Sequence, residues 1–301
     1  MREALASKRN KMEQWLREEI KEDCAVAFSG GVDSALLLKL VCDAAKGSKA
    51  NVYAVTMQTT LHPAAEITHA KKVAEEIGAR HLIVPVDELA EAGMEQNPVD
   101  RCYRCKKLLF TKLKEKAAEY GVSMTLEGTN AEDLNGYRPG FLAVRELGIH
   151  SPLVQFGLTK EEVRAWAEEL GLSVSNRPAM PCLATRFPYG TALSYEEMRK
   201  AEQGEAYLRG LGLYNVRLRI YGDLVRIEVD PEAFSVLEAR RLEIVQTLKM
   251  IGYRYITLDL EGFRSGSMDI GITNAYNERA VQKRRKIKTK KCKNRRKKDV
   301  R

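Results

Sequence analysis

The sequence predicts an α/β protein: a parallel sheet with helices on both faces, followed by a smaller α+β domain. Three observations carry this. Short apolar runs alternate with amphipathic helical patterns as far as Gly171. A Ser-Gly-Gly turn joins the first run to a strongly apolar helix. After Pro188-Tyr-Gly190 the pattern changes to a helix and two runs of strict period two.

Taken in order, Glu13–Lys21 reads as a helix leading into a buried strand at Ala25–Phe28. Ala35–Val41 opens the next helix, and Asn51–Met57 is the second strand. Ala64–Ile77 carries Ile67, Ala70, Val73, Ala74 and Ile77 at helical spacing, and His81–Val86 is the third strand. Cys105–Tyr120 puts Leu108, Leu109, Leu113 and Ala117 on one helix face; Ser123–Glu127 is the fourth strand, ending at Gly128-Thr129-Asn130. Thr159 and Glu162 have capping-box spacing at the start of a helix that stops near Gly171. Ser194–Leu211 opens with the same spacing, Ser194 to Glu197. Val216–Ile220 and Leu224–Val229 form a hairpin about Tyr221-Gly-Asp223, Pro231–Ile251 contains a helix, and Tyr255–Leu260 is a last strand. The expected units are 1–188, 189–277 and a basic tail, 278–301.

At 301 residues, 44% hydrophobic and 30% charged, the chain has a globular composition. No apolar run approaches a bilayer span, and Met1–Arg9 lacks the apolar core of a secretory signal, so a cytoplasmic protein is expected. The net charge of +9 belongs to one end. Arg279 to Arg301 holds fourteen Lys and Arg against Asp299, leaving 36 basic and 40 acidic residues elsewhere. The body is therefore not a basic nucleic-acid binder. The tail is expected to be disordered, either a solvated terminus or a hook for RNA or an anionic surface without sequence specificity.

Ser29-Gly30-Gly31-Val32-Asp33-Ser34 is the most informative stretch. A strand, a small-residue loop and a helix N-terminus leave free amides and a positive dipole end facing the loop, which is an anion site. Gly30 and Gly31 let the backbone approach a phosphate, Ser29 and Ser34 add hydroxyls, and Asp33 is placed to hold Mg2+ or cap the helix. Ligands in such sheets bind beyond the strands' carboxyl ends, which brings Met57 and Gly128 to the same rim. No lysine stands in the loop, so it is not the Gly-Lys-Ser/Thr triphosphate loop. It resembles the loop of the PP-loop ATP pyrophosphatases, a likeness that implies ATP binding and AMP transfer.

Of six cysteines, Cys24 and Cys42 sit in apolar patterns and read as core, and Cys292 lies in the tail. Cys102 and Cys105 form a Cys-x-x-Cys at a loop-to-helix junction, which favours thiolate. Cys182 follows two prolines, with Arg186 nearby to stabilise an anion. Three readings stay open. One is a structural zinc, for which His62, His69, His81 and His150 offer no paired spacing. Another is a redox dithiol with Cys182 as a separate nucleophile. The third is a three-cysteine iron–sulfur cluster with one iron open. Arg217 and Arg219, two apart on one strand, face the same side and can converge on phosphate or carboxylate, with Glu228 and Arg264 as further candidates. Glu205 reads as a solvated charge.

Ser29–Ser34, Cys102-Tyr-Arg-Cys-Lys106, Glu127-Gly-Thr-Asn130, Pro181-Cys-Leu-Ala-Thr-Arg-Phe-Pro-Tyr-Gly190 and Val216-Arg-Leu-Arg219 together resemble the LarE family, over roughly residues 10 to 275. The resemblance implies an ATP-dependent sulfur transferase. It would adenylate a carboxylate of pyridinium-3,5-biscarboxylic acid mononucleotide and thiolate it, on the way to the nickel-pincer nucleotide. In some members one cysteine, matching Cys182, is sacrificed and becomes dehydroalanine. Others carry three cysteines and a [4Fe–4S] cluster, the type that Cys102, Cys105 and Cys182 match. A homo-oligomer is implied by the same likeness. The rival readings are an iron–sulfur tRNA thiolation enzyme, an amide ligase of the NAD or GMP synthetase kind, and a non-catalytic nucleotide-binding regulator.

Overall fold

The computed structural model describes residues 2–63, 65–134, 138–178 and 180–269, with side chains from Leu5 onward. The basic tail and Cys292 lie outside these residues. Four strands, β1 (Cys24–Ala27), β2 (Val52–Thr59), β3 (Arg80–Val86) and β4 (Met124–Leu126), form an all-parallel sheet in the order β3-β2-β1-β4. Parallel neighbours require crossovers, and helices supply them. They are α1 (Arg2–Glu19), α2 (Val32–Ala45), α3 (Ala65–Ile77), α4 (Glu88–Glu91), α5 (Arg101–Ala118), α6 (Pro139–Glu146), α7 (Pro152–Gln155) and α8 (Lys160–Glu169).

The pleat sorts side chains to two faces. Cys24 and Val26 join Val52 and Ala54 against Leu16 of α1, Leu36 of α2 and Trp166 of α8. Ala25, Tyr53 and Val55 face the other way, onto Phe110 and Leu113 of α5 and Val144 of α6. The fold class expected from alternation is the one observed.

A 3-10 turn at Leu183–Arg186 leads to α9 (Tyr195–Gly210), then to the antiparallel pair β5 (Val216–Tyr221) and β6 (Leu224–Val229). Helices α10 (Phe234–Ala239) and α11 (Arg241–Ile251) follow, and β7 (Tyr255–Leu258) adds to β6 in parallel. Their core includes Leu183, Ala184 and Phe187, and also Leu61, which follows β2, Leu89 of α4 and Met94 just after it.

Three helix starts differ from expectation, α2 the least, beginning at Val32 rather than Ala35. Helix α1 begins at Arg2 rather than Glu13, because tertiary contacts extend it: Lys8 donates to Gly157 O and Glu162, and Arg9 lies 4.9 Å over the Trp166 ring. Helix α5 begins at Arg101 rather than Cys105, so Cys102, expected ahead of the helix, lies with Cys105 inside its first turns. Among the described residues no helix is long and apolar enough to cross a membrane.

Candidate active site

The loop between β1 and α2 is built by its own hydroxyls. Ser34 Oγ donates to Gly31 O at 3.0 Å and accepts from the Ser29 amide at 3.3 Å, and the Gly31 amide donates to Ser29 Oγ. Gly30 has a left-handed φ of 74°, and a Cβ there would meet Ala70 Cα at 3.0 Å, so the position needs glycine. At Gly128 a Cβ would stand 2.9 Å from the Ser34 amide nitrogen, so β4's end is seated directly on the N-terminus of α2.

Above this seat lies a cavity of about 750 Å³. Ser29, Gly31, Asp33, Ser34, Met57 and Gly128 line it, the group expected at one rim, while Gly30 turns its carbonyl to His69 Nε2 at 3.2 Å. Its opposite wall comes from the second half of the chain: Leu183, Tyr195, Met198 and Arg199.

Asp33 is not free. Asn130 Nδ2 donates to its Oδ1 at 3.1 Å, and Lys160, first residue of α8, pairs with Oδ2. Sequence reasoning missed Lys160, although the Thr159 capping box that points it was legible. It also missed Lys106 and Glu127. The Glu127 carboxylate takes Thr129's amide and hydroxyl and Ser151's hydroxyl, and Lys106 Nζ stands 3.7 Å away.

The three cysteines converge from two segments, and buried Asn97 is the tie. Its Nδ2 donates to Phe187 O at 3.1 Å and Pro188 O at 2.9 Å, and its Oδ1 accepts from Arg101 at the head of α5. Burial, then the neighbouring Cys102, pushes the Cys182 thiol up to about 11. Cys105 is raised first by burial, then by Glu88, Cys182 and Cys102. Glu88, fully buried and absent from the expected site, accepts from Cys105 Sγ at 3.4 Å; burial raises its carboxyl to about 7. Three soft thiols suit iron–sulfur ligation by donor type. Among the described residues no group of three His, Cys, Asp or Glu is placed to hold a metal ion, and Cys105 faces Glu88.

Arg186, expected to stabilise an anion beside Cys182, is instead engaged by partners within the protein. It is fully buried, with Nε and Nη2 each 2.7 Å from the Glu205 carboxylate and Nη1 on Pro181 O, Cys182 O and Thr185 Oγ1. It therefore clasps the Cys182 segment to α9. Glu205, expected in solvent, is 1% exposed. Arg217 and Arg219 do share a strand face, near Arg186. Arg219 donates to Glu228, Thr185 O and Ser267, and Arg217 lies 5.3 Å over Phe263. Glu228 is buried under Arg219, Arg226 and Ser267, and Arg264 pairs with Asp259 and Glu261. These four stand apart from the residues that line the cavity.

Comparison with known proteins agrees with this layout. The NAD synthase family profile matches residues 5–115, the part that holds the loop. A pyridinium-3,5-bisthiocarboxylic acid mononucleotide synthase of Lactiplantibacillus plantarum is 40% identical over 83% of this chain and 90% of its own. An uncharacterized protein of Synechocystis sp. is 38% identical over 89% of this chain and 99% of its own. A tRNA-specific 2-thiouridylase of Rickettsia bellii is 25% identical over half of each chain. On the near full-length match to the Lactiplantibacillus enzyme, the chain belongs to the LarE family of PP-loop sulfur transferases.

Proposed function

We propose that the chain activates a carboxylate with ATP and then gives the acyl carbon sulfur. The Lactiplantibacillus relative is named for making pyridinium-3,5-bisthiocarboxylic acid mononucleotide, and the substrate proposed for this chain is the corresponding pyridinium-3,5-biscarboxylic acid mononucleotide. The supporting observation is the cavity itself. Its floor is the Ser29–Ser34 loop, and its far edge is Leu183, next in sequence to Cys182.

In the first step a substrate carboxylate oxygen attacks the α-phosphorus of ATP. The bond from that phosphorus to the bridging oxygen breaks, and pyrophosphate leaves onto the loop's amides at the positive end of α2. In the second, a sulfur nucleophile attacks the acyl carbon, the bond to AMP breaks, and AMP leaves with the electron pair. Asp33 would hold Mg2+ once Lys160 gives way; the ion supplies charge neutralisation along the phosphates. Arg217, Arg219 and Arg264 would take the substrate's phosphate or second carboxylate, and Glu228, paired with Arg219, would hold that arginine in place. In support, burial and then neighbouring Arg186 pull Arg217 down to about 10, a strain that a bound anion relieves. Arg186 positions Cys182. Cys102, Cys105 and Cys182 would hold an iron–sulfur cluster, which supplies an iron with an open position for sulfur.

One anaerobic experiment tests this. Full-length protein and Cys102→Ala, Cys105→Ala and Cys182→Ala are given ATP, acceptor and sulfide, and nucleotide products, thiolated product and iron are measured. Wild type is expected to form AMP and pyrophosphate, and each variant to lose iron and product. ADP as the product overturns the activation step. Iron kept in any one variant removes that residue from the cluster. Loss of tRNA affinity and tRNA thiolation when residues 279–301 are deleted would favour the tRNA reading, whereas small-molecule thiolation that persists without them supports the proposal.

A further inference from the structure

Arg199 and Glu202 lie one turn apart on α9, and both line the cavity above the Ser29–Ser34 loop. Neither makes a hydrogen bond or an ion pair among the described residues. Every other charged side chain on the lining has a partner of opposite sign. Asp33 has Lys160, Arg177 reaches Glu66 at 2.6 Å, Lys106 stands 3.7 Å from Glu127, and Arg138 stands 3.6 Å from Asp133. Helix α9 also pairs its charges elsewhere. Lys200 lies 2.9 Å from Glu196 and 2.7 Å from Glu197, and Arg209 lies 3.2 Å from Glu205. Those pairs put glutamate ahead of the base. Arg199 ahead of Glu202 is the weaker order, which keeps both groups available.

The wall they stand on is firm. Ser194 caps α9, and the clasp of Arg186 on Glu205 holds its middle. Tyr195, also on the cavity lining, is fixed by the bond from its hydroxyl to Asp87. Tyr195, Arg199 and Glu202 fall at i, i+4 and i+7, one stripe that presents a ring, a cation and an anion. Arg199 and Glu202 are about 4.5 Å apart along the helix axis, which suits two charges borne on a single ring. The complement of this stripe is an aromatic ring that is itself positively charged and carries a carboxylate. ATP does not meet that description. Its adenine is neutral, its phosphates belong to the amides across the cavity, and Glu202 would repel them.

We infer that α9 is the specificity wall for the acceptor's ring: Glu202 faces the ring's positive charge, Arg199 takes the carboxylate that is not being activated, and Tyr195 lies against the ring's face. This rests on the sulfur-transfer reading, and it leaves the acceptor's phosphate to the arginines of β5. No bond forms or breaks at α9; the wall turns the other carboxylate toward the loop.

The test is a calorimetric titration of the full chain, loaded with a non-hydrolysable ATP analogue. The probes are N-methylpyridinium-3,5-dicarboxylate and isophthalate, which carries the same two carboxylates on a neutral ring. Wild type is expected to bind the charged ring about tenfold more tightly. Glu202→Gln should make the two probes alike. Arg199→Gln should weaken both about tenfold, with the Kd of the ATP analogue unchanged. Equal affinities in wild type, binding of neither probe, a preference that survives in Glu202→Gln, or a weakened ATP analogue in Arg199→Gln each overturn the inference. The wild-type comparison decides even if a variant fails to fold. AMP formation from the mononucleotide acceptor is measured alongside. If the charged-ring preference depends on Glu202 while no AMP forms, the wall stands and the activation reading falls. If AMP forms while both rings bind alike, the activation reading stands and the wall falls.

Discussion

Gly128 is the residue on which the active site's geometry turns. It has no unusual backbone angle; it is needed because β4 meets the Asp33–Ser34 peptide at contact distance. Gly128→Ala is expected to push the strand end off α2 and tilt the amides that face the cavity. A displacement of that order costs on the order of 10²-fold in turnover, while the sheet survives. Steady-state kinetics with circular dichroism checks this; unchanged turnover would mean that the seat is compliant. The sequence showed Gly128 as a rim residue but not as a steric one, because the clash is with residues far away in the chain. Arg186 teaches the same lesson. Its position beside Cys182 was legible, but the partner that consumes its guanidinium, Glu205, looked like an ordinary helix charge. A charge reads as solvated until the opposing charge across the fold is known.

At the scale of elements, caps were readable and short helices were not. Thr159 and Glu162 close both halves of a capping box, with Thr159 Oγ1 accepting from the Glu162 amide and Glu162 Oε2 from the Thr159 amide. Ser194 makes only the first half, because Glu197 turns to Lys200. Thr159→Ala should cost about 1 kcal/mol in urea denaturation. It should also loosen Lys160, the neighbouring residue that covers Asp33, and so change the Mg2+ dependence of ATP binding. A variant with lowered stability but the wild-type Mg2+ response would separate the cap from the ion site. Helices α6 and α7 escaped sequence reading, since each begins at a proline and runs for eight and four residues, too few for a periodic signal. The start of α5 was set late for a related reason. Asp100 looked like loop, and only tertiary ties at Asn97 and Arg101 carry the helix back to include both cysteines.

For the whole molecule, pH acts on three histidines spread around the first sheet's rim. His62, His69 and His81 are each held below the ordinary imidazole value, with burial as the leading cause. His81 is bonded to Thr56, His62 to Thr59, and His69 to the Gly30 carbonyl. Their folded values lie under their unfolded ones, so the stability they lend is complete above about pH 6.5 and is lost as pH falls through the folded values. In a Glu88→Gln background, which removes the buried carboxyl whose raised value acts in the opposite direction, the melting temperature is therefore expected to hold between pH 8 and 7 and to decline on acidification below 6.5. A melting temperature that stays level down to pH 5 would show that these rings titrate freely.

Leu61, Leu89 and Met94 sit in the same apolar cluster as the strands and helices that follow Ser194. Neither half of the polypeptide therefore owns a finished interior. A gene fragment ending at Phe187 would strand six greasy residues in water, these three with Leu183, Ala184 and Phe187, and the remainder would lack the plugs that complete its lining. The rear portion cannot be lent to an unrelated catalyst as a detachable cassette. Descent has to transmit both portions together, and heat should melt them in one calorimetric peak.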